Sequence, residues 1–195
     1  MSSPINLQHV NVKLLASNPE QLDLEPLIPV FHSWIEGQIF EELLLDVADY
    51  RHVQAGPGVV LIGHQANYSL DNTDGRLGIL YNRKAGFEGT NQDRLQQATR
   101  AALVAEQKLE TEEKVPGIHF PGKEIQLVIN DRFIAPNTLE TRAAFEPELK
   151  SFGDKLFGAG NYSAVYESDP RKRFGVTLTA SRPVSAQELL ANLSS

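Results

Sequence analysis

Two stretches of this chain read as copies of one pattern. Arg76-Leu77-Gly78-Ile79-Leu80-Tyr81 and Arg173-Phe174-Gly175-Val176-Thr177-Leu178 both run arginine, bulky apolar, glycine, β-branched, any residue, large apolar. Each follows a polar turn and precedes a segment of helical character. A repeat of this kind predicts two related halves, 1–114 and 123–195, built around one pseudo-symmetric core. The competing reading is that two hairpins of any α+β protein share such features, because glycine and β-branched residues are common there.

A chain of 195 residues fits one generous domain, and residues 1–195 are read as a single compact unit. Hydrophobic residues make up 41%, enough for a core, and the 22% charged content gives no reason to expect disorder. The net charge of −7 repels phosphate backbones, so nucleic acid is not an expected partner. The absence of cysteine removes disulfides, thiolate nucleophiles and thiolate metal sites together. Met1-Ser2-Ser3-Pro4-Ile5-Asn6 has neither a basic nor an apolar run, so no signal peptide is read there. Apolar runs such as Val59–Ile62 are far too short to span a bilayer. A cytoplasmic protein without membrane contact is expected. On that expectation the Asn-x-Ser triplets at Asn67, Asn161 and Asn192 are chance matches.

Along the chain, His9–Leu14 alternates apolar and polar as a half-buried strand does. Asn18-Pro19 breaks it. Asp23 is placed to cap a helix with Pro26 in its first turn, and Leu27, Val30, Phe31, Trp34 and Ile35 form its apolar face up to Gly37. Trp34 belongs to that face and is expected in the core. Leu43–Val47 reads as a short buried strand. Residues 58–83 read as a hairpin turned at Asp71-Asn72-Thr73-Asp74-Gly75, where Asp-Gly supplies positive φ. Thr90 with Asp93 resembles a capping box for a helix carrying Leu95, Ala98, Ala102, Ala105 and Leu109. Val115–Gly122, with two Pro-Gly pairs, joins the halves.

In the second half Ile125–Ile129 reads as a buried strand. Asn137 or Thr138 starts a helix that Pro147 is expected to bend into two pieces. Ser163–Glu167 and Arg173–Thr179 make a second hairpin, and Ser185 with Glu188 caps a final helix. The order predicts an α+β fold: a mostly antiparallel sheet with flanking helices, in two pseudo-repeated, ferredoxin-like β-α-β-β-α halves. Exposed sheet edges make a homodimer a natural expectation.

Four segments, Asp46–Tyr50, Gly56–His64, Gly75–Arg83 and Asn130–Thr138, resemble a conserved bacterial family common among cyanobacteria, whose members carry no assigned activity. The resemblance runs over most of the chain. It implies a bacterial cytoplasmic protein and carries over no cofactor and no catalytic residue.

The densest polar constellation is Asp46, Asp49, Tyr50, His52, His64, Asn67 and Tyr68. Two acids and two imidazoles form acid–base pairs if the strand ends converge, so Asp46, Asp49, His52 and His64 are the catalytic candidates. Their spacing matches no tight ligand signature, and no metal site is assigned. Ser69 lacks a nucleophile elbow. Gly56-Pro57-Gly58 lacks the lysine of a phosphate loop, and the strand that follows spends its amides on a sheet. Arg76 and Arg83 are candidate anion ligands through forked hydrogen bonds, with Asn67 and Tyr68 beside them. Arg171, Lys172 and Arg173 at the second hairpin tip read as solvated. Asn130-Asp131-Arg132 is the second half's polar candidate. Two functions compete. One is a non-enzymatic module binding a protein partner or small anionic ligand, with no cofactor. The other is an enzyme of unidentified type using Asp46, Asp49, His52 and His64 as acid–base or metal groups, with Arg76 as anion holder.

Overall fold

The computed structural model describes residues 5–17 and 22–194. The expected break at Asn18-Pro19 and most of the N-terminal stretch read for a signal peptide lie outside the described residues. The chain forms eight strands: β1 (Val10–Leu15), β2 (Leu44–Tyr50), β3 (Gly58–Gly63), β4 (Ala66–Asp71), β5 (Gly78–Arg83), β6 (Glu124–Ile129), β7 (Tyr162–Tyr166) and β8 (Gly175–Ala180). Four helices, α1 (Leu27–Gly37), α2 (Asn91–Glu110), α3 (Leu139–Phe157) and α4 (Ala186–Ser194), are interleaved with them. All eight strands join one sheet in the order β2-β3-β4-β5-β1-β6-β8-β7, every neighbouring pair antiparallel. The pairing of β1 with β6 carries that sheet from the first half into the second.

Residues paired across strands share a face, so the register reveals two sides of different character. One row, Val47–Leu61–Tyr68–Tyr81–Val12–Leu127–Val176–Tyr166, crosses all eight strands. It marks the helix-covered face. Phe31 and Trp34 of α1, with Phe40 in the connection after it, form a ring ladder down to Tyr68. Gln97 of α2 donates to the Tyr81 hydroxyl. Arg142 of α3 lies over the Tyr166 ring. α4 packs on α2 and α3. The core therefore lies between the helix layer and this face, with Val12, Leu61, Ile79, Leu95, Ala102 and Phe152 fully enclosed.

The local chemistry explains most elements. Thr90 and Asp93 form the reciprocal capping box at the start of α2. Thr138 accepts from Thr141 N–H at the start of α3, and Ser185 accepts from Glu188 N–H at the start of α4. Asp74 and Gly75 adopt φ of 61° and 68°, which the tight turn before β5 requires.

Four expectations need correction. Asp23 does not cap α1: its carboxylate accepts from Glu25 N–H, and Pro26 occupies the cap position. Residues 58–83 hold three strands rather than two, because a further turn at His64-Gln65 separates β3 from β4. The apolar run at Leu43 belongs to an edge strand, not a buried one, and Leu43 and Leu45 are each about half exposed. Pro147 lies within a single helix, α3. Phe145, Leu149, Phe152 and Leu156 are buried on both sides of it. Their burial, at about 1.5–3 kcal/mol each, outweighs the roughly 3 kcal/mol an internal proline costs. No described helix is long and apolar enough to cross a membrane.

Candidate functional site

The residues named from sequence do not gather at one place. Asp46 pairs with Ile62 and Asp49 with Val59, positions three residues apart whose side chains point to opposite faces of the sheet. Both carboxylates serve the β2 edge. Asp46 accepts from Val47 N–H at 2.8 Å. Asp49 accepts from Arg51 N–H at 3.0 Å and holds its guanidinium in a fork. That arginine is why the Asp49 carboxyl is held down at about 2. His52 is exposed in the following turn and stacks on Tyr50. His64 is exposed at the turn between β3 and β4, where its N–H bonds Leu43 O. Among the described residues no group of three or more His, Asp or Glu is arranged to hold a metal ion.

The anion candidates are engaged with carboxylates. Arg76 pairs with Glu124. Arg83 donates to Glu42 Oε1 at 3.2 Å, with both side chains near 11–12% exposed. Glu42 also accepts from Tyr81 at 2.6 Å and from Tyr68 at 3.1 Å. Burial pushes the Tyr81 hydroxyl up to about 12, and burial with Glu42 beside it pushes Tyr68 well above the usual phenol range. Gln97 closes this network. No buried side-chain polar atom in it lacks a partner, and it ties the helix layer to the sheet. Glu42 and Gln97 were not marked by sequence, because neither sits in a local motif. In the second half Asp131 caps its own turn, accepting from Phe133 and Ile134 N–H.

Asn67 is different. It lies on the helix-free face and pairs in register with Asn82 of β5, which pairs with Asn11 of β1. Three asparagines thus form a transverse row on adjacent strands. Each Oδ1 is buried and has no hydrogen-bond partner, and Asn11 is only 3% exposed. Unpaired buried acceptors are uncommon, since each forfeits the hydrogen bond it had in water. The next row on this face is Val60–Ser69–Leu80–Lys13–Gln126–Thr177. Lys13 reaches diagonally to Asp71 at 2.5 Å. Burial lowers the Lys13 pKa, and Asp71 opposes that shift. At the foot of the face a cleft of about 290 Å³ is lined by Leu15, Arg76, Pro121, Lys123 and Glu124, among others. The face therefore carries three enclosed asparagine oxygens without partners, an internally neutralised ion pair, and apolar contacts from Ile62, Leu80 and Val128.

Alternation in His9–Leu14 marks Asn11 and Lys13 as the outward residues of β1. What sequence lacks is the register that brings Asn82 and Asn67 beside Asn11. No protein-family model matches the chain, and no curated protein matches it.

Proposed function

We propose that the protein is a binding module rather than an enzyme, and that it takes a small, uncharged, donor-rich ligand on the helix-free face of its sheet. The observation that carries this reading is the row of partnerless amide oxygens on Asn11, Asn82 and Asn67. The oxygens are enclosed in the free protein, so a ligand reaches them by turning the amides outward; held in a row by three adjacent strands, they then suit hydroxyl or amide donors spaced at the inter-strand distance of about 4.8 Å. A neutral ligand is favoured over an anion because Lys13, Arg76 and Arg83 each already face a carboxylate. The cleft beside Leu15 and Glu124 gives room for a group extending beyond the row.

Thermal-shift screening with sugars, nucleosides and small diamides tests this, using wild type and Asn67→Ala/Asn82→Ala in parallel. A ligand that binds the native state raises Tm by mass action. The expected result is a neutral compound that raises the melting temperature of wild type and not of the double variant. If no neutral compound shifts Tm, or if the shift survives both substitutions, the reading fails.

We also infer that the two halves descend from one β-α-β-β-α unit, with β2 and β3 as an insertion in the first. Two parallels support it. β5 lies between β4 and β1, as β8 lies between β7 and β6. Gly78 pairs with Leu15 and faces Leu14 O, as Gly175 pairs with Val128 and faces Leu127 O. Within each half the third strand lies between the first and the second, β1-β5-β4 and β6-β8-β7, the order of the split β-α-β arrangement expected, which also supports the reading.

A further inference from the structure

The two sheet edges are treated differently. β2 is guarded in the ways that discourage strand pairing: a register shift between Leu44 and Asp46, and Asp46 capping the N–H of Val47. β7 has neither device. Its sequence, Tyr162-Ser163-Ala164-Val165-Tyr166, contains no charge and no proline, and its register with β8 is unbroken. Val165 is 66% exposed.

The hydrogen-bond phase of β7 is fixed at both ends. Ser181 N–H donates to Asn161 O and Glu167 N–H donates to Gly175 O. Odd-numbered residues therefore bond inward to β8. The N–H and C=O groups of Tyr162, Ala164 and Tyr166 point outward from the sheet.

Above this edge, α3 presents a stripe of alternating charge. Arg142 lies over the Tyr166 ring and Glu146 accepts from the Tyr166 hydroxyl. Lys150 and Asp154 sit by Tyr162, whose hydroxyl donates to Lys150 O and Asp154 Oδ1. Read along the edge, the stripe is plus, minus, plus, minus, with its centre abreast of Ala164.

We propose that β7 is the seat of a two-fold homodimer in which a second copy's β7 adds antiparallel, centred on Ala164, to make one continuous sheet. The symmetry fits every outward group. Ala164 exchanges both bonds with the partner's Ala164, and Tyr162 exchanges both with the partner's Tyr166. Val165 packs beside the partner's Ser163 on the helix-free side. Glu167 meets the partner's Asn161, so no like charges face one another. The two-fold reverses the stripe, which sets Arg142 against the partner's Asp154 and Glu146 against the partner's Lys150. A run of four charges alternating in sign is complementary to its own reversal at each position, as an isologous interface demands.

Sedimentation velocity across the micromolar range tests this on the full chain. Ala164→Pro removes the central outward N–H and leaves the inward ladder to β8 untouched. Glu146→Lys sets two cations against each other across the axis, and adding Lys150→Glu restores opposite signs. The expected result is a wild-type dimer weakened roughly tenfold or more by Ala164→Pro, weakened by Glu146→Lys, and regained in the Glu146→Lys/Lys150→Glu protein, with wild-type circular dichroism throughout. A wild-type protein that stays monomeric, or a dimer insensitive to Ala164→Pro while the fold is intact, overturns the proposal. Neither result depends on whether the asparagine row of the helix-free face binds a ligand.

Discussion

Lys13 and Asp71 show how a single pair constrains the polar face. Their side chains are 7% and 5% exposed and 2.5 Å apart. Asp71 does more than neutralise: it accepts from both the backbone N–H and the hydroxyl of Thr73, at 3.1 and 2.8 Å, and so anchors the turn into β5. Asp71→Ala therefore removes three interactions and leaves a buried ammonium uncompensated. Breaking a buried pair costs about 3–5 kcal/mol, and that loss is expected in urea unfolding. Lys13→Met, which matches the lysine stem and leaves Asp71 its two threonine donors, is expected to cost less than half as much. Equal losses in the two variants would refute the assignment of the turn to Asp71. The same face shows where residue-level reading stops. Asn67 stood out because it lies in a polar cluster, whereas Asn82 sits in a strand with no local signal. Only the register of β1, β5 and β4 joins them into one row.

The glycines of the repeated pattern act through how strands approach one another. A Cβ on Gly78 would lie 2.3 Å from Leu14 O, while one on Gly175 would lie 3.2 Å from Leu127 O. The first contact is below any tolerated separation and involves backbone, so β5 must shift away from β1. The second asks for a few tenths of an ångström. Gly78→Ala is expected to cost about 1–3 kcal/mol, and Gly175→Ala less; Tm measurements that reverse this order would contradict the packing described. Elements whose signals are local were legible: the Thr90–Asp93 box and the Asp74-Gly75 turn carry their hydrogen-bonding chemistry within a few residues. β2 was misread because an apolar run does not say how many neighbours a strand has. Leu43–Val47 has the composition of an interior strand and the position of an edge. Pro147 misleads because its local cost is visible in sequence, whereas the surfaces that bury Phe145, Leu149, Phe152 and Leu156 around it are contributed by other elements.

At the scale of the whole molecule, α2 is the element through which the two halves communicate, since it packs on β1, β5, α3 and α4 together. Its inner face includes one carboxyl, Glu106, 3% exposed among Leu103, Ala105 and Leu109. Burial, with the nearby charge of Glu110, raises its pKa from 4.5 to about 8. Glu110 itself accepts from Phe120 N–H and meets His119 Nδ1, so it brings Glu106 no cation of its own. In the unfolded chain Glu106 titrates near its ordinary value and the folded protein retains the proton. The native state thus binds more protons between about pH 4.5 and 8, and stability falls as pH rises through that window. The contribution is fully present below pH 4.5 and lost above the folded pKa, with a size on the order of a few kcal/mol. Glu106→Gln keeps the neutral shape and removes the titration. Urea unfolding of wild type is expected to lose stability from pH 5 to 8, and the Gln variant is expected to show a flatter profile and to exceed wild type at pH 8. Parallel profiles for the two proteins would mean that Glu106 ionises within the fold as readily as it does in water.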